Sequence, residues 1–192
     1  MLNRYKKYLE VLDVKLNHLF EQQAPFIKCK KGCAYCCKDG EYPMSELEYI
    51  NLMFEYNSLS GDLQDKINKK IEALLSSNRH KLYECPFLTD DCCSVYSARP
   101  LICRSFGLIT YYKNSKNKIP FCVDLGLNYS NVYDKESCML TMYAKDGTKP
   151  AAYNVERNTL RDKEMEELFD IRFGEDKALV DWLREDSSLF NK

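Results

Sequence analysis

A chain of 192 residues with 45% hydrophobic content is long and apolar enough to bury a core, which excludes a wholly disordered protein. Its 28 Lys and Arg stand against 29 Asp and Glu, a net charge of −1, so no global field draws it to nucleic acid or to an anionic membrane. The N-terminus lacks the uninterrupted apolar run of a secretory signal or membrane span; no membrane association is expected, and the chain is read as cytoplasmic. In a reducing compartment its 10 cysteines are metal ligands or redox groups before they are disulfides.

Taken in order, residues 3 to 22 form an amphipathic helix. Tyr5, Leu9, Leu12, Leu16 and Leu19 recur at steps of four and three, which puts them on one face. Pro25 closes this helix and delivers the chain to Cys29. Neither His18 nor His80 is spaced to join the cysteines, and neither is assigned to metal. Gly32 provides the tight turn that a ligand loop needs. Ser45 and Glu48 make a capping box for a helix from Glu46 to about Tyr56. A second helix from about Ser60 turns Leu63, Ile67, Ile71, Leu74 and Leu75 inward, with Lys66, Lys69 and Lys70 on its solvated face. Pro100 opens a short turn of helix that holds Cys103 and Arg104.

Residues 108 to 122 read as a small hairpin about a turn at 113–118. The tail is helical again from about Val155 to Phe173, is broken at Gly174, and resumes over Lys177 to Arg184 with Trp182 as a packing anchor. The fold class is thus mainly α with a small β-hairpin, an irregular cysteine-rich core flanked by helices. Three parts are expected: an N-terminal helix (1–26), a cysteine-cluster domain (27–140) and a C-terminal helical extension (141–192).

Chemistry concentrates at Cys29, Cys33, Cys36 and Cys37, four thiols within nine residues. A second group follows at Cys85, Cys92, Cys93 and Cys103, and Cys122 and Cys138 trail behind. A zinc ribbon needs two C-x2-C knuckles, and only Cys33 and Cys36 form one. The C-x3-C-x2-C run suits an iron–sulfur loop, but cysteine ligands alone do not separate iron from zinc.

The stretch Cys93-x2-Tyr96-x2-Arg99-Pro100-x2-Cys103-Arg104-x-Phe106, taken with Cys33-x2-Cys36-Cys37 and Cys85-x2-Leu88, resembles the CxxCxxCC cysteine-cluster family, often called YkgJ-like, over about residues 27 to 125. The resemblance implies a zinc- or iron-chelating domain with Cys29, Cys33, Cys36, Cys37, Cys85, Cys93, Cys103 and Cys122 as ligands. Three residues, not two, separate Cys29 from Cys33, a departure from the name-giving spacing. Cys92 and Cys138 fall outside the pattern and are read as small buried residues. Tyr96 and Phe106 are read as packing around the site, and Arg99 or Arg104 as a cation that offsets thiolate charge.

The expected function is an intracellular metal-binding protein, holding zinc or an iron–sulfur centre for structure, metal handling or redox sensing, with metal ions as its partners and no protein partner specified. The alternative is a metalloenzyme, either redox or of the methylase kind, since a similar cluster accompanies flagellin lysine N-methylases. No base, nucleophile or phosphate loop stands out to support it. Cys33, Cys36, Cys37, Cys85, Cys93 and Cys103 are expected to converge, and the eight motif thiols to form more than one metal position.

Overall fold

The computed structural model describes residues 1–30, 32–77, 82–111, 118–141, 147 and 155–186, except for the side chains of residues 111 and 155–158. In chain order the helices are α1 (Leu2–Gln22), α2 (Tyr35–Lys38), α3 (Glu46–Tyr56), α4 (Gly61–Ser76), α5 (Leu101–Arg104), α6 (Lys163–Phe169) and α7 (Leu179–Glu185). Short strands lie between them: β1 (Pro43–Ser45), β2 (Leu88–Thr89), β3 (Cys92–Cys93), β4 (Thr110–Tyr111), β5 (Tyr133–Asp134), β6 (Met139–Leu140), β7 (Val155–Glu156) and β8 (Asp176–Ala178). The strands pair only in twos, β2 with β3 and β5 with β6 as antiparallel hairpins. The fold class is mainly α with small β-hairpins. Among the described residues, no helix is long and apolar enough to cross a membrane.

Two compact units divide the chain, one made of Met1–Lys31 with Ser105–Ile171, the other of Gly32–Arg104 with Arg172–Lys192. In the first, α1 follows its sequence period: Tyr5, Leu9, Leu12 and Leu16 are buried, with Tyr8 beside them. Tyr8 meets Phe169 of α6 edge-on at 5.6 Å, and Arg4 reaches Asp170 at 2.6 Å. A separate core of Phe26, Ile109, Val123, Tyr129 and Val132 lies elsewhere in the same unit.

In the second unit α3 has the bounds its capping box predicts. Ser45 Oγ accepts the Glu48 N–H at 3.4 Å, and Glu48 Oε2 accepts the Ser45 N–H at 2.8 Å. On α4, Ile67, Ile71 and Leu74 are buried against Leu52, Tyr56, Phe87 and Leu183 in one apolar cluster. Antiparallel β1 and β8 join the chain's middle to its tail, and Trp182 stacks on Tyr49 at 5.4 Å while donating its indole N–H to Met44 O at 3.1 Å.

Several expectations are corrected. The helix from Val155 to Phe173 is not continuous: β7 pairs in parallel with β4, and a new helix starts only at Lys163, where the Asp162 side chain accepts the Met165 N–H at 3.1 Å. Asp170, left-handed at φ 50°, ends it. The hairpin of residues 108–122 reduces to one antiparallel bridge between Thr110 and Lys118, and Phe121–Val123 is a 3-10 turn instead of a strand. Most of its turn, residues 113–117, lies outside the described residues, as does His80. Lys70 is no bystander on a solvated face: its ammonium contacts Glu84 at 2.8 Å and donates to Leu88 O at 2.5 Å.

Candidate metal centre

The second unit brings together Cys37, Cys85, Cys93 and Cys103 from separate pieces of chain. Gly32, at φ 85°, turns the chain toward α2 with no Cβ to object. Cys37 closes that single turn by donating its N–H to Ala34 O at 2.8 Å. The chain beyond α2 is joined to the approach to Cys85. Gly40 and Tyr83 exchange N–H···O bonds of 3.2 Å, and the Cys85 N–H donates to Cys37 O at 2.8 Å. The Tyr42 hydroxyl lies 2.9 Å from Cys37 O and 3.2 Å from the Cys36 and Tyr83 carbonyls. A Cβ on Gly40 would sit 2.8 Å from both Cys36 O and the Tyr42 hydroxyl, so this approach requires glycine.

The β2–β3 hairpin then carries Cys93 back opposite Leu88, through a two-residue turn in which Asp90 and Asp91 are both left-handed, at φ 50° and 54°. Strand alternation points neighbouring side chains to opposite faces, so Cys92 faces outward and is exposed, contrary to its expected burial. The sulfurs of Cys85 and Cys93 each receive a backbone N–H from two residues on, Phe87 and Val95. Cys103 arrives on α5, where Pro100 O accepts the Cys103 and Arg104 N–H groups at 2.9 and 3.0 Å. The N-terminus of α5 is fixed by Glu48, whose Oε1 accepts the Leu101 N–H at 2.7 Å. One buried carboxylate therefore caps two helices, and the second role has no local sequence signal.

The four thiols form one electrostatic group. Burial pushes the Cys103 thiol well up, and the nearby Cys85, Cys37 and Cys93 push it further. Cys85 is raised by burial first, relieved by the Phe87 N–H and raised again by Cys93 and Cys37. Cys93 is raised by burial, while the Val95 N–H and the Arg99 guanidinium pull the other way. Cys37 moves down, because the Cys36 thiol, its sulfur 3.9 Å away, hydrogen-bonds to it. Among the described residues, no group of three or more His, Cys, Asp or Glu side chains is placed closely enough to hold a metal ion as it stands. The sulfurs stand within electrostatic reach of one another. Soft thiol donors with backbone N–H groups aimed at two of them suit thiophilic centres, zinc or iron–sulfur, and are unsuited to hard cations.

The remaining motif thiols divide between the units. Cys33 is half-buried between Gly32 and α2, in the same unit as Cys36. In the first unit Cys122 is buried on the Phe121–Val123 turn, and Cys29 is exposed with its sulfur 3.1 Å from Asn128 Nδ2. Both thiols act on the buried Tyr129 hydroxyl, which burial first, then Cys29 and Cys122, push up. Cys138 is exposed, not buried, at φ 53° in the turn of the β5–β6 hairpin. Tyr96 does not pack inward: it is 63% exposed, with the Arg99 guanidinium 3.9 Å from its ring centre. The His18 ring nitrogen Nε2 lies 2.8 Å from Gln22 Nε2.

A sequence profile titled "CxxCxxCC: Putative zinc- or iron-chelating domain" matches residues 28–123, half of the 192-residue chain. The chain belongs to the CxxCxxCC family. All four clustered thiols lie inside the CxxCxxCC match, as do Cys29, Cys33, Cys36 and Cys122, whereas Asn128 and the β8–α7 segment lie beyond it. No curated protein and no solved structure matches the chain.

Proposed function

We propose that Cys37, Cys85, Cys93 and Cys103 hold a zinc ion or an iron–sulfur centre, and that the protein is a cytoplasmic metal-binding protein acting in structure, metal handling or redox sensing. The observation that carries this reading is the mutual influence of these four thiols, three of them raised by burial. Burial favours these sulfurs as neutral thiols, and a cation that replaces their protons is what would let them stand there as thiolates. Bound metal would hold the sulfurs as thiolates, and the Arg99 guanidinium near Cys93 would offset part of the resulting charge. A thiol set of this kind needs a reducing compartment, which supports the cytoplasmic reading.

Cys33 and Cys36 in the second unit, and Cys29 and Cys122 in the first, are proposed as further ligands, giving more than one metal position per chain. Residues 27–140 are read as the metal-binding part, with 1–26 and 141–192 as flanking parts. The test is purification without oxygen, followed by counts of zinc, iron and inorganic sulfide. Two zincs, or several irons with sulfide, are expected per chain. Serine at positions 37, 85, 93 and 103 should remove the metal held by those four thiols, and a wild-type chain that neither retains nor takes up either metal would overturn the proposal.

A further inference from the structure

Asn128 is completely buried, yet its side chain serves an exposed thiol. Its Oδ1 accepts the Lys28 N–H at 2.7 Å, and its Nδ2 donates to Cys29 Sγ at 3.1 Å and to Gly107 O at 3.2 Å. These partners fix which way the amide faces. A backbone N–H must meet an acceptor, so the oxygen points to Lys28 and the NH2 group is left for the sulfur and the carbonyl. Gly107 gives the second observation. A Cβ there would lie 2.9 Å from Asn128 Nδ2 and 3.2 Å from Cys29 Sγ, and its φ of 103° is left-handed, so the chain is kept bare where amide and sulfur meet.

We propose that Asn128 is a positioning residue for Cys29, its buried amide orienting the exposed thiol as a sulfur donor for a thiophilic metal. The proposal rests on the metal-binding reading above, and it adds a residue outside the family's matched stretch. Pinning the backbone at Lys28 needs only the amide oxygen. The N–H directed at the sulfur is surplus to that role, and a hydrogen bond of this kind orients a ligand atom for the metal it would hold.

The substitution Asn128→Asp separates the two roles, since it keeps an oxygen for Lys28 and replaces the NH2 group with an acceptor facing the sulfur. Zinc affinity is measured by chelator competition on wild type, N128D, C29S and the double variant. We expect N128D to weaken one class of bound zinc by about 10- to 100-fold, the range for lost outer-shell partners, and C29S, which removes the donor atom, by at least as much, with the double variant no weaker than C29S alone. Zinc bound equally by N128D and wild type, or additive losses in the double variant, would overturn the assignment while leaving the metal-binding reading intact. A wild-type chain that takes no zinc would sink both. Should N128D fail to fold, wild-type protein loaded with cadmium-113 decides: the Asn128 side-chain amide protons should shift and couple to the metal through Cys29 Sγ, and an unchanged amide signal refutes the role.

Discussion

Glu48 is 2% exposed, and its two oxygens take hydrogen bonds from the Ser45 N–H, the Ser45 hydroxyl and the Leu101 N–H, at 2.8, 2.8 and 2.7 Å. Glu48→Gln keeps the shape but turns an NH2 group toward donors. It should therefore cost about 1–3 kcal/mol, the range for a buried donor left unpaired, and loosen the turn that carries Cys103. Urea unfolding of the two proteins measures this, and an unchanged midpoint would refute it. The capping box was legible because its members are three residues apart; the bond to Leu101 spans 53 residues and has no local signal.

The raised thiols and phenols of the second unit have a pH consequence. Burial raises Cys85, Cys93, Cys103, Tyr42 and Tyr49 above their ordinary values. A group whose folded pKa lies above its unfolded one adds stability that is whole below the unfolded pKa and is lost as pH rises toward the folded one. The metal-free protein should accordingly lose stability above about pH 8.5, where unfolded thiols begin to ionise. Urea midpoints at neutral and alkaline pH test this, with a higher alkaline midpoint as the contrary result.

Among the elements, β8 and α7 have the least obvious link to the cysteines and yet belong to their unit. Strand β8 pairs with β1, and the Glu46 and Leu47 N–H groups at the start of α3 donate to Glu175 O and Phe173 O at 2.8 and 3.0 Å. Leu179, Val180, Trp182 and Leu183 of α7 are all buried. At about 1.5–3 kcal/mol for each fully buried side chain, losing this helix removes an amount comparable to the whole stability of a marginally stable domain. A chain ending at Ile171 is expected to lose metal from the four-thiol group, as read by metal content after gel filtration; full retention would contradict the expectation. The break at Gly174 marked this last helix in the sequence, but from Lys177, two residues early, because Lys177 and Ala178 pair in β8. The same reasoning failed over Val155 to Phe173, because a run of helix-compatible residues does not reveal that Val155 and Glu156 find a strand partner at Thr110 and Tyr111.

For the whole molecule, bound metal should act as a stabilising ligand. Residues 82–104 form only short turns, a two-residue hairpin and a single turn of helix around Cys85, Cys93 and Cys103. Metal is expected to contribute on the order of 10 kcal/mol, the scale of structural zinc, so the metal-free protein should melt well below the loaded one. Equal melting midpoints would rule this out. The sequence by itself determined what depends on neighbours in the chain: the phases of α1, α3 and α4, the capping box, the turn after Pro100, and the cysteine motif that marks the family. Only the tertiary structure decided which thiols share an environment, that Cys92 faces out while Cys93 faces in, and that Asn128 reaches Cys29 from 99 residues away. The reason is physical. All ten cysteines have the same chemistry in the sequence, and what distinguishes them is burial, strand face and hydrogen-bond partners supplied by distant segments, which no local period encodes.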